Sequence, residues 1–135
     1  MQLYLFDTDI CSYIMRRSHP HLLHRLQTVN LETIAISVVT EAELLYGIKL
    51  SNKPRLTRAA FEGFIKHVAV LDWTRLAAEH YADIRADLHK RGCIIGANDL
   101  MIAAQARSLN ATIVTNNVRE FRRVKGITVE NWTEK

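Results

Sequence analysis

The sequence predicts an α/β sandwich built around a mostly parallel sheet, and two observations predict it. Five short apolar or β-branched runs, Leu3–Phe6, Ile34–Val38, Val68–Leu71, Thr112–Thr115 and Ile127–Val129, are separated by stretches whose apolar residues recur at helical spacing. The first run is continuously apolar and stops abruptly at Asp7, which is the pattern of a strand buried on both faces rather than a half-exposed antiparallel one.

Taken in order, Ile10, Tyr13 and Ile14 predict a short helix after Asp7, and Pro20 opens a second piece with Leu22, Leu23 and Leu26 on one face. His19, His21 and His24 crowd this region, but no Cys or acid completes a ligand set, so a metal site there is not expected. The strand Ile34–Val38 is followed by Thr40-Glu41-Ala42-Glu43, which fits a capping box before the helix carrying Leu44, Leu45 and Ile48. Pro54 suits the first turn of a helix that turns Phe61, Phe64 and Ile65 inward. The segment Leu76–Arg91 is the most periodic in the chain, with Ala77, Tyr81, Ile84 and Leu88 on one face and Gly92 as its C-terminal cap. Asp99 falls in the first turn of the next helix, which carries Ile102, Ala103, Ala106 and Leu109 and ends at Asn110. After Thr112–Thr115, Asn116-Asn117 breaks the strand, and Glu120–Val124 forms a short helical turn before the last strand.

Composition narrows the class. A chain of 135 residues, 48% hydrophobic with only 5 Gly and 2 Pro, reads as one domain over residues 1–135 without linker or repeat. No apolar stretch approaches the roughly 20 residues that span a bilayer, and no signal-peptide pattern opens the chain, so the expected compartment is the cytoplasm with no membrane partner. Cys11 and Cys93 lie among apolar residues in no Cys-x-x-Cys pair and read as free, buried thiols. The net charge of +4 leans slightly toward an anionic partner.

The acids carry the chemistry. Asp7 follows the first strand, Glu43 lies early in the helix after the second, Asp99 starts the helix before the fourth, and Asn117 with Glu120 follows the fourth. Each has a plain explanation alone: Asp7 as a helix cap, Glu43 as the capping-box partner, Asp99 as a charge favoured by the helix dipole. All of them nevertheless sit at strand or helix ends that a parallel sheet gathers on one edge, where such sheets bind ligands.

Four stretches, Leu3-Tyr4-Leu5-Phe6-Asp7-Thr8-Asp9, Ser37 through Leu44, Gly96 through Ala104 and Thr115 through Phe121, together resemble the PIN-domain ribonucleases, and within them the VapC toxins of bacterial toxin–antitoxin pairs. The closing Thr128-Val129-Glu130-Asn131-Trp132 is similar to that of VapC members that act on initiator tRNA. The resemblance implies a PIN-like sandwich with a five-stranded sheet ordered 3-2-1-4-5. It implies metal-binding acids at Asp7, Glu43 and Asp99, with a fourth acidic contribution near Asn117 or Glu120. It also implies an RNA substrate, a small VapB-like antitoxin and a homodimer. The chain departs from the common pattern at Asp9, where many members have Asn or Ser, and at Asn117, where many have Asp.

Clustered carboxylates repel one another and are held together best by a hard divalent cation, so Mg²⁺, or Mn²⁺ in its place, is the expected cofactor. Thr115 offers a hydroxyl to Asp7 or to the phosphate, and Asn117 can position a water. Arg119, Arg122, Arg123 and Lys125 directly follow the Asn116-Asn117 turn and are expected to hold phosphates flanking the cut. Two other functions fit parts of the chain. Asp7-Thr8-Asp9 after an apolar strand also starts a haloacid-dehalogenase-type phosphatase, but the Lys and paired acids which that chemistry needs downstream are missing. A non-catalytic α/β binding module is the remaining alternative, and it leaves the three acids without a purpose.

Overall fold

The structure is a computed structural model that describes residues 2–135. Strand β1 (Tyr4–Phe6) leads into helices α1 (Thr8–Arg16) and α2 (Pro20–Leu26). Strand β2 (Ile34–Ser37) is followed by α3 (Val38–Leu50) and α4 (Pro54–Ile65), and β3 (Ala69–Leu71) by α5 (Arg75–Lys90) and α6 (Ala97–Leu109). Strand β4 (Thr112–Val114), the single turn of α7 (Val118–Phe121) and β5 (Thr128–Glu130) complete the order.

The sheet runs β3-β2-β1-β4-β5, the order that the resemblance implies, and every neighbouring pair is parallel. In register, Phe6 lies opposite Ile36 on one side and Val114 on the other, so the carboxyl ends of the central strands finish level. The strand order reverses at β1, between β2 and β4. That is the switch point at which an open parallel sheet leaves a crevice beyond its strand ends.

Alternation along the strands divides the interior into two cores. Leu5, Ala35 and Ile113 face Ile84, Leu88, Ile102 and Phe121 under α5 and α6. Phe6, Ile36 and Val114 face the other way, onto Ile10, Leu22, Leu44, Phe61 and Trp132. All these side chains are almost fully buried, which at roughly 1.5 to 3 kcal/mol for each large apolar residue makes the two cores the main source of stability.

Several boundaries differ from the sequence expectation, each for a local reason. Strand β2 ends at Ser37, because the Ser37 hydroxyl accepts the Val39 N–H and turns the strand end into the N-cap of α3. Helix α7 starts at Val118, with Asn117 in the cap position, rather than at Glu120, and it ends at Phe121; Val124 is buried without being helical. A 3-10 turn at Leu31–Thr33, where the Asn30 side chain accepts the Glu32 N–H, was not expected. Gly92 follows α5 at φ +67°, the left-handed conformation that its capping role requires. Both cysteines are free; Cys11 is buried as expected, whereas Cys93 is only partly so. Among the described residues, no helix is long and apolar enough to cross a membrane.

Candidate active site at the strand ends

Asp7 directly follows β1, and its amide extends the ladder by donating to the Val114 carbonyl at 3.1 Å. Its two side-chain oxygens have different partners. Oδ1 accepts the Ile10 N–H at 3.0 Å and so caps α1. Oδ2 accepts the Thr115 hydroxyl at 2.5 Å, and Thr115 Oγ1 in turn accepts the Asn117 N–H at 2.8 Å. Because Thr115 has only one proton to give, the Asn117 contact commits it to Asp7. Capping therefore accounts for one oxygen only.

The capping box expected of Thr40 and Glu43 is not formed. Ser37 caps α3 three residues ahead of Thr40, which leaves Thr40 buried inside the helix and Glu43 in its second turn. Glu43 Oε1 instead accepts the Thr8 hydroxyl at 2.6 Å, and Thr8 Oγ1 lies 3.4 Å from Thr40 Oγ1. Thr8 is a site residue that the sequence reading passed over: nothing marks a threonine between two aspartates until α1 packs on α3.

Asp7, Asp9, Glu43 and Asp99 line one cavity of about 370 Å³, with Thr8 and Gly96–Asn98 between them. Gly96 fixes a fifth acid at its edge. The Gly96 N–H donates to Glu120 Oε1 at 2.7 Å, and Asn117 Nδ2 donates to Glu120 Oε2 at 2.6 Å. A Cβ at Gly96 would stand 3.6 Å from Glu120 Oε1 and 3.7 Å from Asp99 Oδ2, so both carboxyl groups come up against the same stretch of backbone.

Charge in this cavity is not neutralised by ion pairs. None of these acids forms an ion pair with Lys or Arg among the described residues. Burial pushes Asp7 up to about 6, against the bonds from Thr115 and Ile10 and with the help of Asp9 and Glu43. Burial, followed by the charge of Glu120 and then of Asp7, pushes Asp99 up to about 7. Burial also opposes the charge on Glu120, but it is outweighed by the bonds from Gly96, Asn117 and Asp99 and by Arg123, so Glu120 is held below its ordinary value. Asp99 and Glu120 thus titrate as a pair whose shared proton rests on Asp99.

The basic run after Asn117 separates in space. Arg119 and Arg122 line a second polar cavity that Asn117 also borders. Arg123 donates to the Ile94 carbonyl at 3.2 Å. Lys125, expected beside the acids, instead has its Nζ 3.5 Å from Asp87 on α5. Consecutive residues leave a helical turn about 100° apart, so a run of cations in sequence is not a patch on one face.

Residues 4–127 match the PIN domain family. Ribonuclease VapC2 of Haemophilus influenzae is 39% identical over 132 residues, covering 98% of this chain and 99% of the relative. The tRNA(fMet)-specific endonuclease VapC of Salmonella typhimurium has the same identity and coverage, 39% over 98% of this chain and 99% of its own. Among solved structures, VapBC2 from Rickettsia felis bound to a promoter DNA fragment superposes with a TM-score of 0.91 at 35% identity, over 97% of this chain and 99% of that one. This agreement in sequence and fold leaves no support for the phosphatase reading. A match over nearly all of its length, to relatives of this identity and to a sheet of this order, shows that the chain belongs to the PIN-domain family and, within it, to the VapC ribonucleases.

Proposed function

We propose that the chain is a divalent-metal-dependent endoribonuclease, the toxin of a toxin–antitoxin pair, whose substrate is initiator tRNA cut in the anticodon loop. The observation that carries this reading is the gathering of Asp7, Asp9, Glu43 and Asp99 around one cavity at the switch point of the sheet, with no protein cation to balance them. The similarity to a tRNA(fMet)-specific endonuclease supports the choice of RNA.

The donor set fits a hard cation such as Mg²⁺ or Mn²⁺. Among the described residues no three His, Cys, Asp or Glu groups converge tightly enough to ligate one ion unaided, since Thr8 draws Glu43 to one side and Gly96 and Asn117 draw Glu120 to the other. Mg²⁺ needs no such cage, because it keeps several waters and takes one or two carboxylates directly. Asp7 and Asp99 would hold it, with Glu43 reached through water. Bound there, the ion would act as a Lewis acid on the phosphodiester and lower the pKa of a water. The chain's own part is orientation. Thr115 fixes Asp7 Oδ2, and Thr8 fixes Glu43 Oε1, leaving Oε2 to align the attacking water. Asn117 holds Glu120 and, through its own N–H, the Thr115 hydroxyl.

The direct test is incubation of the purified chain with initiator tRNA and with total RNA, with and without Mg²⁺ or Mn²⁺, followed by mapping of the ends. The expected result is metal-dependent cutting of initiator tRNA at one position in the anticodon loop. Initiator tRNA left intact under conditions in which unstructured RNA is degraded would remove the substrate assignment.

Asn117→Asp addresses the departure from the family pattern. Its carboxylate replaces the amide that donates to Glu120 at 2.6 Å, so the metal-free variant should melt a few degrees lower. With a charged donor added to the set, Mn²⁺ affinity measured by calorimetry should rise about tenfold. An unchanged titration would place residue 117 outside the metal site.

A small VapB-like antitoxin is the proposed partner, after the VapBC complexes that this chain resembles. An apolar cavity of about 400 Å³, lined by Ile14, Met15, Leu23, Leu26 and Phe64 with Arg17 at its rim, suits an amphipathic segment. Tyr46 and Leu50 on α3 and Leu76 on α5 are exposed, which suits the proposed homodimer.

A further inference from the structure

The second polar cavity, of about 590 Å³, lies between the turn that follows β4 and the C-terminal tail. Of the four cations after that turn, Arg123 is bonded to the Ile94 carbonyl and Lys125 is paired with Asp87, whereas Arg119 and Arg122 have no side-chain partner among the described residues and both line this cavity. Asn116 and Asn131 form its other wall.

That wall is built, not loose. Trp132 is only 3% exposed and packs edge-on against Tyr4 and Phe6, with centroids 4.9 and 5.4 Å away. Its Nε1 donates to Glu130 Oε1 at 2.9 Å, and the Arg25 guanidinium lies 4.8 Å from its ring. Beside this anchor, Asn131 Oδ1 accepts the Thr133 N–H at 2.9 Å and the Thr133 hydroxyl at 2.6 Å. Asn116 Oδ1 accepts from Asn131 Nδ2 at 3.4 Å and lies 3.1 Å from Thr133 Oγ1, which joins the tail to the turn. The cavity is also joined to the acids. Asn117, on its border, donates through its backbone to Thr115, which donates to Asp7, and through its side chain to Glu120.

Building on the ribonuclease reading, we infer that this cavity holds one nucleotide of the RNA adjoining the phosphodiester that is cut, with its phosphate on Arg119 and Arg122 and its base edge against the amides of Asn116 and Asn131. The volume lies within the roughly 300 to 1,000 Å³ of small-ligand sites. Two unpartnered guanidinium groups suit a phosphate, since each offers a fork of donors. Glu134 lines the tail side, so its carboxylate repels a phosphate there and sets the direction: phosphate toward α7, base toward the tail. No aromatic ring lines the cavity, so the base is read by hydrogen bonds rather than by stacking. The amide oxygens of Asn116 and Asn131 are engaged within the tail, whereas Asn116 Nδ2 has no partner among the described residues, so the pocket offers donors and favours a base with an acceptor on its edge.

The test uses the purified chain with Mg²⁺, initiator tRNA, and tRNAs in which each nucleotide flanking the mapped cut is replaced in turn. Arg122→Ala should raise KM about tenfold with kcat within about twofold, as loss of a charge-assisted contact predicts. The same variant should reduce the salt slope by about 1 or less. Asn116→Ala, at an exposed position, and Asn131→Ala should each lower discrimination about tenfold between the native and the replaced base, at one flanking position only. Unchanged base preference in both amide variants, or an unchanged KM in Arg122→Ala, overturns the pocket while the nuclease assignment stands. Failure of the wild type to cut any RNA with Mg²⁺ or Mn²⁺ overturns the assignment itself, and the pocket with it.

Discussion

Asp7→Asn is expected to slow RNA cleavage by on the order of a thousandfold, the scale on which a catalytic site loses an electrostatic element, while the metal-free protein becomes more stable at neutral pH. The two effects share one cause. Asp7 is buried among other acids, and its pKa rises from 3.8 to about 6 on folding. A carboxyl group raised in this way contributes stability that is fully present below the unfolded pKa and is lost as pH rises through the folded one. The shift corresponds to about 3 kcal/mol at neutral pH. Metal-free wild type should therefore melt at a higher temperature at pH 5 than at pH 7.5, and Asn, which carries no charge, should flatten that slope. A bound divalent cation should stabilise the wild type at pH 7.5 and leave Asp7→Asn nearly unmoved. Calorimetric melts across pH, with and without Mg²⁺, read all of this beside the cleavage assay. Near wild-type cleavage by the variant with metal present would discard the metal-site assignment.

Expression of the wild-type chain alone in a bacterial host is expected to stop growth, with colony counts falling by orders of magnitude, while Asp99→Asn is tolerated. Asp99 lines the same cavity as Asp7, so the amide removes a proposed metal ligand without disturbing either core. Co-expression of the proposed VapB-like antitoxin should restore growth, and Met15→Asp in the apolar cavity should weaken that rescue while leaving the toxicity. Unimpeded growth with abundant, folded wild-type protein would be incompatible with a toxin.

The strands and long helices were legible because burial imposes a period on the sequence, as Ala77, Ile84 and Leu88 show on α5. Asp7 and Asp99 were legible because each stands at the end of an element whose type is clear. Glu43 was found for one reason and misread for another. Thr40-x-x-Glu43 fits a capping box in sequence, but a serine at the strand end had already started the helix, and no local pattern shows which of two candidate caps will win. The short helix α7 has too few residues to show a period, so its start was misplaced and its cations were read as one patch. Thr8 depends on how α1 meets α3, and tertiary packing leaves no trace at a single threonine.

Leu5 and Phe6 are neighbours in the chain, yet each is fully buried in a different core. Strand β1 is also the strand that carries Asp7 and pairs with both β2 and β4. One short strand thus rivets the two layers together, so loss of either core is expected to carry the other and the cavity with it in a single unfolding transition.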